Sequence, residues 1–207
     1  MKADKASVRK TLLRLAQRHG RPGGGSRPEA LRKRTFEMQV PDLRPILEGL
    51  PWAVVGAVAA RLYMPERTTH DLDIAVWHED APSVRRRLEA AGFSYDGELA
   101  IGGSSWHSPE GLPLDVVELR TPWARQALAE ARENRDPQGL PILPLPYLVL
   151  IKFEAGRVQD LADLTRMLGQ ATEEQLQKVR ALLARFHPDD LEDLESLIDL
   201  GRLELER

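Results

Sequence analysis

Residues Arg67–Val76 read RTTHDLDIAV, and the alternation inside this stretch decides the fold. Side chains of an extended strand point to opposite faces in turn, so Asp71 and Asp73 share one face while Leu72 and Ile74 share the other. The pattern predicts a strand over DLDIAVW, with an apolar side turned to a core and two carboxylates side by side on the opposite side. Two like charges at that spacing repel. A divalent cation that favours hard oxygen ligands, magnesium above all, would offset the repulsion. A solvated strand edge is the other reading of the same pair.

A second acid stands in a similar place further on. In LPLDVVEL, Asp115 interrupts an apolar run, with Leu114 and Val116 alternating away from it. A carboxylate in a buried strand is costly unless it is paired or metal-bound, so Asp115 is either a third metal ligand or a partner of one of the chain's arginines. Upstream, WAVV (Trp52 to Val55) reads as a short buried strand that runs through Gly56 into the helical segment AVAARLYM. Free backbone N–H groups at a helix start favour phosphate, and glycine permits close approach or an unusual dihedral. An ordinary strand-to-helix turn has the same sequence.

The rest of the chain sets the frame. Its 207 residues are enough for one substantial core with a smaller appendage, and 42% hydrophobic with 29% charged residues is the balance of a globular protein. The net charge of -3 gives no global argument for nucleic acid or membrane, but its distribution is uneven. Lys and Arg dominate from Met1 to Arg34, while the end, HPDDLEDLESLIDLGRLELER, is acidic. That asymmetry fits a polyanion-binding arm, or an arm docked on the acidic end. There are no cysteines, so disulfides and thiolate metal sites are excluded. The N-terminus carries charges where a signal peptide needs an apolar stretch, and the longest apolar runs are too short to span a bilayer. A cytoplasmic protein without a membrane role is the expectation.

Ser7 to His19 reads as a helix ended by Gly20, and GRPGGGSRPEA as a linker; no strand precedes its glycines and no Gly-Lys-Ser/Thr follows, so it is no phosphate loop. PDLRPILEGL and APSVRRRLEAAGF read as helices, ELAIGG with SSWHSP as a hairpin, and LPLDVVEL as a strand. After Pro122 the pattern is helical, with segments near 123–134, 146–168, 172–186 and 188–204. The predicted organisation is a basic helix and linker over 1–35, a small mixed-sheet α/β (α+β) core over 36–145, and a helical region over 146–207.

Taken together, Gly56-Ala57, then Asp71-Leu72-Asp73-Ile74, then the distant Asp115 resemble the DNA-polymerase-beta-like nucleotidyltransferase superfamily. The run Arg67-x-Thr69-x-Asp71-x-Asp73 is similar to the branch that contains AbiEii-type toxins. So is LVLIKFEAGRVQDLADLTRML, with Lys152, Arg157, Asp160 and Asp163 in that order. The resemblance covers roughly residues 50–168. It implies catalytic and metal-binding roles for Asp71, Asp73 and Asp115, which would hold two magnesium ions (or manganese) on a nucleoside triphosphate. It further implies nucleotide-binding roles for Gly56, Ala57, Arg67, Thr69, Lys152 and Asp160. Ala57 departs from the pattern, since the family has Gly or Ser there; alanine keeps the backbone N–H and loses the hydroxyl.

The chemistry implied is in-line displacement at the α-phosphorus, with pyrophosphate leaving and the nucleotide passing to an acceptor hydroxyl. The acceptor would be RNA such as tRNA, or a protein side chain. A toxin paired with an antitoxin partner is one form this could take. A catalytically inactive relative that binds nucleotide, RNA or a partner protein is the alternative. Each ancillary residue has a second reading too. Lys152 is a triphosphate contact or a snorkelling amine. Asp160 positions Lys152 or substrate, or pairs with Arg157 one helical turn away. Arg67 and Thr69 contact phosphate or order their loop. His70 and His107 form no zinc spacing. Trp77, Trp106 and Trp123 stack a base or fill the core.

Overall fold

The computed structural model describes residues 5–20, 41–64, 69 and 71–205. The chain folds as two compact units, one built on a sheet and ending at Pro144, the other joining the N-terminal helix to the helices from Leu145 onward.

In the sheet unit, β1 (Trp52–Val55) is buried along its whole length. It passes directly into a five-residue helix, α2 (Gly56–Ala60). β2 (Leu72–Trp77) follows, then α3 (Ala81–Ala90), the hairpin strands β3 (Ser94–Glu98) and β4 (Gly103–His107), β5 (Pro113–Leu119) and α4 (Ala124–Ala131). The five strands lie in the order β1-β2-β5-β4-β3. Only β2 and β5 run parallel; the other pairs are antiparallel. The sheet is therefore mixed, as the alternation of strand and helix patterns predicts.

The two faces differ. Leu72, Ile74, Val76, Leu114, Val116, Ser104 and Trp106 are buried on one side. α3 lies on that side: its Ala81, Val84 and Leu88 are buried at helical spacing, and Arg85 reaches both Glu118 on β5 and Glu98 on β3. On the other side, Arg125 of α4 stacks over Trp77, 4.8 Å from the ring centroid. α4 thus covers the C-terminal end of β2 and leaves its N-terminal end, where the aspartates stand, half-exposed. The free edge of β1 is closed by a short extended segment: Val54 donates to the Pro141 carbonyl, Leu143 donates to the Val54 carbonyl, and Val54 bridges Ile142. The stretch over PDLRPILEGL forms turns from Arg44 to Leu50 in place of the expected helix. Leu43 and Leu47 still bury themselves, and the second proline of the segment, Pro45, lacks the N–H a helix would use.

The helical unit contains α1 (Lys5–His19), α5 (Leu145–Ala155), α6 (Val158–Gln170), α7 (Glu173–Phe186) and α8 (Leu191–Leu205), with a single 3-10 turn at Pro188–Asp190. α5 is apolar nearly all round, as a central helix must be. The apolar stretch expected near 146–168 is two helices: Gly156, with φ of +61°, breaks the run, and Arg157 restarts it from an extended conformation. α7 opens with a reciprocal cap between Thr172 and Gln175.

Candidate active site

Register assembles the site. Asp73 on β2 lies directly beside Asp115 on the parallel strand β5, Asp115 lies beside Ser105 on β4, and Val55 at the end of β1 lies on the other side of Asp73. Residues in register on neighbouring strands share a face and stand about 5 Å apart. Two carboxylates far apart in sequence are thereby neighbours, both half-buried.

Gly56 explains why Asp73 sits where it does. Its φ is +64°, a left-handed conformation, and a Cβ added there would lie 1.9 Å from Asp73 Oδ2. The carboxylate therefore occupies the volume that any other residue at 56 would fill. Of the sequence expectations for this glycine, close approach, an unusual dihedral or an ordinary turn, the structure has the unusual dihedral, and the group that approaches closely is the aspartate. Ala57 follows, buried, with no hydroxyl to offer.

Asp71 precedes β2 and is exposed. Its Oδ1 accepts a 2.6 Å hydrogen bond from the Thr69 hydroxyl, so Thr69 holds the first aspartate in place. Arg67 and His70 lie outside the described residues. Among those described, no three His, Cys, Asp or Glu side chains gather into one metal-holding group. Magnesium does not require such a cage: it is held by one or two carboxylates, with water and substrate phosphates completing the octahedron. The facing pair Asp73 and Asp115, with Asp71 close in sequence, is a donor set of that kind.

Lys152 and Asp160 belong to the helical unit. Lys152 is buried at 5% exposure and donates from Nζ to Asp163 Oδ2 at 2.7 Å and to Asp160 Oδ1 at 3.3 Å. It is a paired cation, not a snorkelling amine. Arg157 donates to Asp160 Oδ2 at 2.7 Å, and its backbone N–H reaches the same oxygen. Burial pushes the Asp160 carboxyl up, but the Arg157 hydrogen bond and the charges of Lys152 and Arg157 outweigh it and hold the group below its ordinary value. Asp160 pairs with Arg157 and also accepts from Lys152, whose shorter hydrogen bond goes to Asp163.

The tryptophans pack. Trp106 and Trp123 are buried, and Trp106 Nε1 donates to Ser104 Oγ at 2.9 Å. Trp77 is half-buried under Arg125. Ser105 is the residue sequence reasoning passed over. Only the β4–β5 register places it beside Asp115, and register is not readable from one strand alone.

No protein-family model matches the chain, and no curated protein does. Among solved structures, it is similar to ANT(2'')-Ia, determined in complex with adenylyl-2''-tobramycin: 20% identity over 74% of this chain and 87% of that chain, with a TM-score of 0.38. The protein TM1012 from Thermotoga maritima shares 20% identity over 71% of this chain and 97% of that chain, with a TM-score of 0.40. A CCA-adding enzyme in complex with CTP shares 12% identity over 87% of this chain and 55% of that chain, with a TM-score of 0.38. Likenesses at this level assign neither family nor activity to the chain.

Proposed function

We propose that the chain is a divalent-metal-dependent nucleotidyltransferase, moving a nucleoside monophosphate from a nucleoside triphosphate to an acceptor hydroxyl. The observation that carries this reading is the side-by-side placement of Asp73 and Asp115, with Asp73 seated against Gly56. In the reaction, the acceptor oxygen forms a bond to the α-phosphorus, the bond to the β-phosphate oxygen breaks, the acceptor proton is lost and pyrophosphate departs. Asp71, Asp73 and Asp115 would hold magnesium, or manganese in its place, whose charge when bound stabilises the attacking and leaving oxygens. Asp73 lies on the side of β1 and Gly56, Asp115 on the side of β4, and we assign Asp115 to the acceptor. Thr69 restrains the Asp71 carboxylate through its hydrogen bond. We assign Lys152, Asp160 and Asp163 to joining α5 and α6, because the ammonium charge is committed to two buried carboxylates.

The test incubates the protein with magnesium, each α-labelled nucleoside triphosphate, and total cellular RNA or protein as acceptor. Label entering either acceptor, reduced at least about a hundredfold by Asp73→Asn and by Asp115→Asn, is the expected result; removing an electrostatic group of this kind costs on the order of 10²–10³ in rate. If tRNA takes the label, growth arrest on expression, relieved by Asp115→Asn, would mark the chain as the toxin of a toxin–antitoxin pair. Ala57 favours one competing reading, a nucleotide-binding protein without turnover, because its side chain adds no donor for a triphosphate. Magnesium-dependent nucleotide binding without transfer to either acceptor would establish that reading instead.

A further inference from the structure

Beyond Asp115 the sheet continues into β4, and that flank of the carboxylate row carries two polar side chains the reaction above does not use. Ser105 pairs with Asp115 and His107 pairs with Pro113 across the antiparallel β4–β5 ladder. Directly opposed residues share a face, so the hydroxyl and the imidazole both stand on the carboxylate side. Both residues are half-buried. Among the described residues neither side chain makes a hydrogen bond or ion pair, while their neighbours on either side do: Ser104 accepts from Trp106, and the Ser108 hydroxyl accepts from the backbone N–H groups of Glu110 and Leu112. Gly103, the next position on that face, adds no side chain.

The chemistry of this flank differs from that of a phosphate site. Val55, Asp73, Asp115 and Ser105 in one row, and Pro113 and His107 in the next, include no lysine or arginine. A serine hydroxyl and an imidazole both offer hydrogen bonds of the kind a neutral hydroxyl group can take. Two such side chains on one strand face offer two contacts, one for each hydroxyl of a terminal diol.

We propose that Ser105 and His107 position the acceptor substrate, holding the vicinal hydroxyls of an RNA ribose terminus so that the nucleophilic oxygen lies beside Asp115, on the side away from Asp73. This rests on the transferase reading. Both are positioning residues, and their loss should act on the acceptor rather than on the nucleotide. The experiment measures label transfer from an α-labelled nucleoside triphosphate to total cellular RNA, varying RNA and nucleotide separately, for the wild-type chain, Ser105→Ala, His107→Ala, His107→Gln and Asp115→Asn.

Each alanine variant is expected to raise the half-saturating RNA concentration roughly tenfold, the worth of one hydrogen bond, with the half-saturating nucleotide concentration unchanged. His107→Gln, which keeps a donor and an acceptor, should recover most of the loss. Periodate oxidation of the RNA ends should abolish transfer. Unchanged RNA saturation in both alanine variants, a rise in nucleotide saturation instead, or label entering protein alone overturns the proposal. Full transfer by Asp115→Asn would instead remove the catalytic assignment of Asp115, on which the placement of the acceptor depends. A dead Asp115→Asn beside wild-type-like Ser105→Ala and His107→Ala would remove only the acceptor assignment. A wild-type chain that labels no acceptor refutes both.

Discussion

At position 56 the missing side chain is the functional feature. Alanine there would meet two penalties: a left-handed dihedral, costing about 1–2 kcal/mol for a residue with a Cβ, and a collision with the Asp73 carboxylate. The fold can absorb the first; the second is relieved only by moving Asp73. Gly56→Ala should therefore lose transfer as thoroughly as Asp73→Asn while melting only somewhat lower, which paired activity and thermal-unfolding assays would reveal. Asp160 offers a test of a different kind. Its folded pKa is depressed, so its contribution to stability is fully present above the unfolded value of 3.8 and is lost as pH falls through the lower folded value. Acid titration of stability should show this loss, and Arg157→Ala should diminish it, since that cation is the leading cause of the depression. Of these residues, alternation marked Asp73 and Asp115 as acids on one strand face, and the resemblance joined them to Asp71, which the structure places just before β2. Ser105 was not legible, because its place beside Asp115 depends on which strand lies next to β5.

At the scale of elements, one close contact is a helix crossing. Gly169 on α6 and Gly201 on α8 face one another so closely that a Cβ on Gly201 would lie 2.0 Å from the Thr165 carbonyl oxygen, and one on Gly169 would lie 2.4 Å from the Gly201 carbonyl carbon. Backbone cannot yield as a side chain can, so Gly201→Ala should force α6 and α8 apart. Overpacking of this sort costs about 1–3 kcal/mol, enough to offset alanine's better helix propensity, and urea unfolding would measure the difference. Neither glycine was readable as a contact in the sequence, where both lie inside strongly periodic helices. The Gly156 break is a related case: the apolar run around it conceals an interruption between two helices, at a glycine of positive φ. α1 shows how elements far apart in sequence find each other. Arg9 is buried, ion-paired with Asp190 and Asp193, and stacked 5.1 Å from the Phe153 ring centroid. For this arginine, the docking reading of the basic arm is the one realised.

Over the whole molecule, composition and pattern foretold a mixed sheet followed by helices, and the structure has both. No helix among the described residues is long and apolar enough to cross a membrane. What the sequence could not disclose was strand order. β2 and β5 are neighbours although α3 and the β3–β4 hairpin intervene, because parallel strands require a long crossover. That crossover has a consequence for how the protein comes into being. Closing so long a loop is entropically expensive and slow compared with forming a local hairpin. The pairing of Asp73 with Asp115 forms only when this non-local contact closes. On the proposed assignment, a chain released before β5 emerges would carry β1, α2 and both early aspartates without the third, so the polypeptide would exist before its proposed site did.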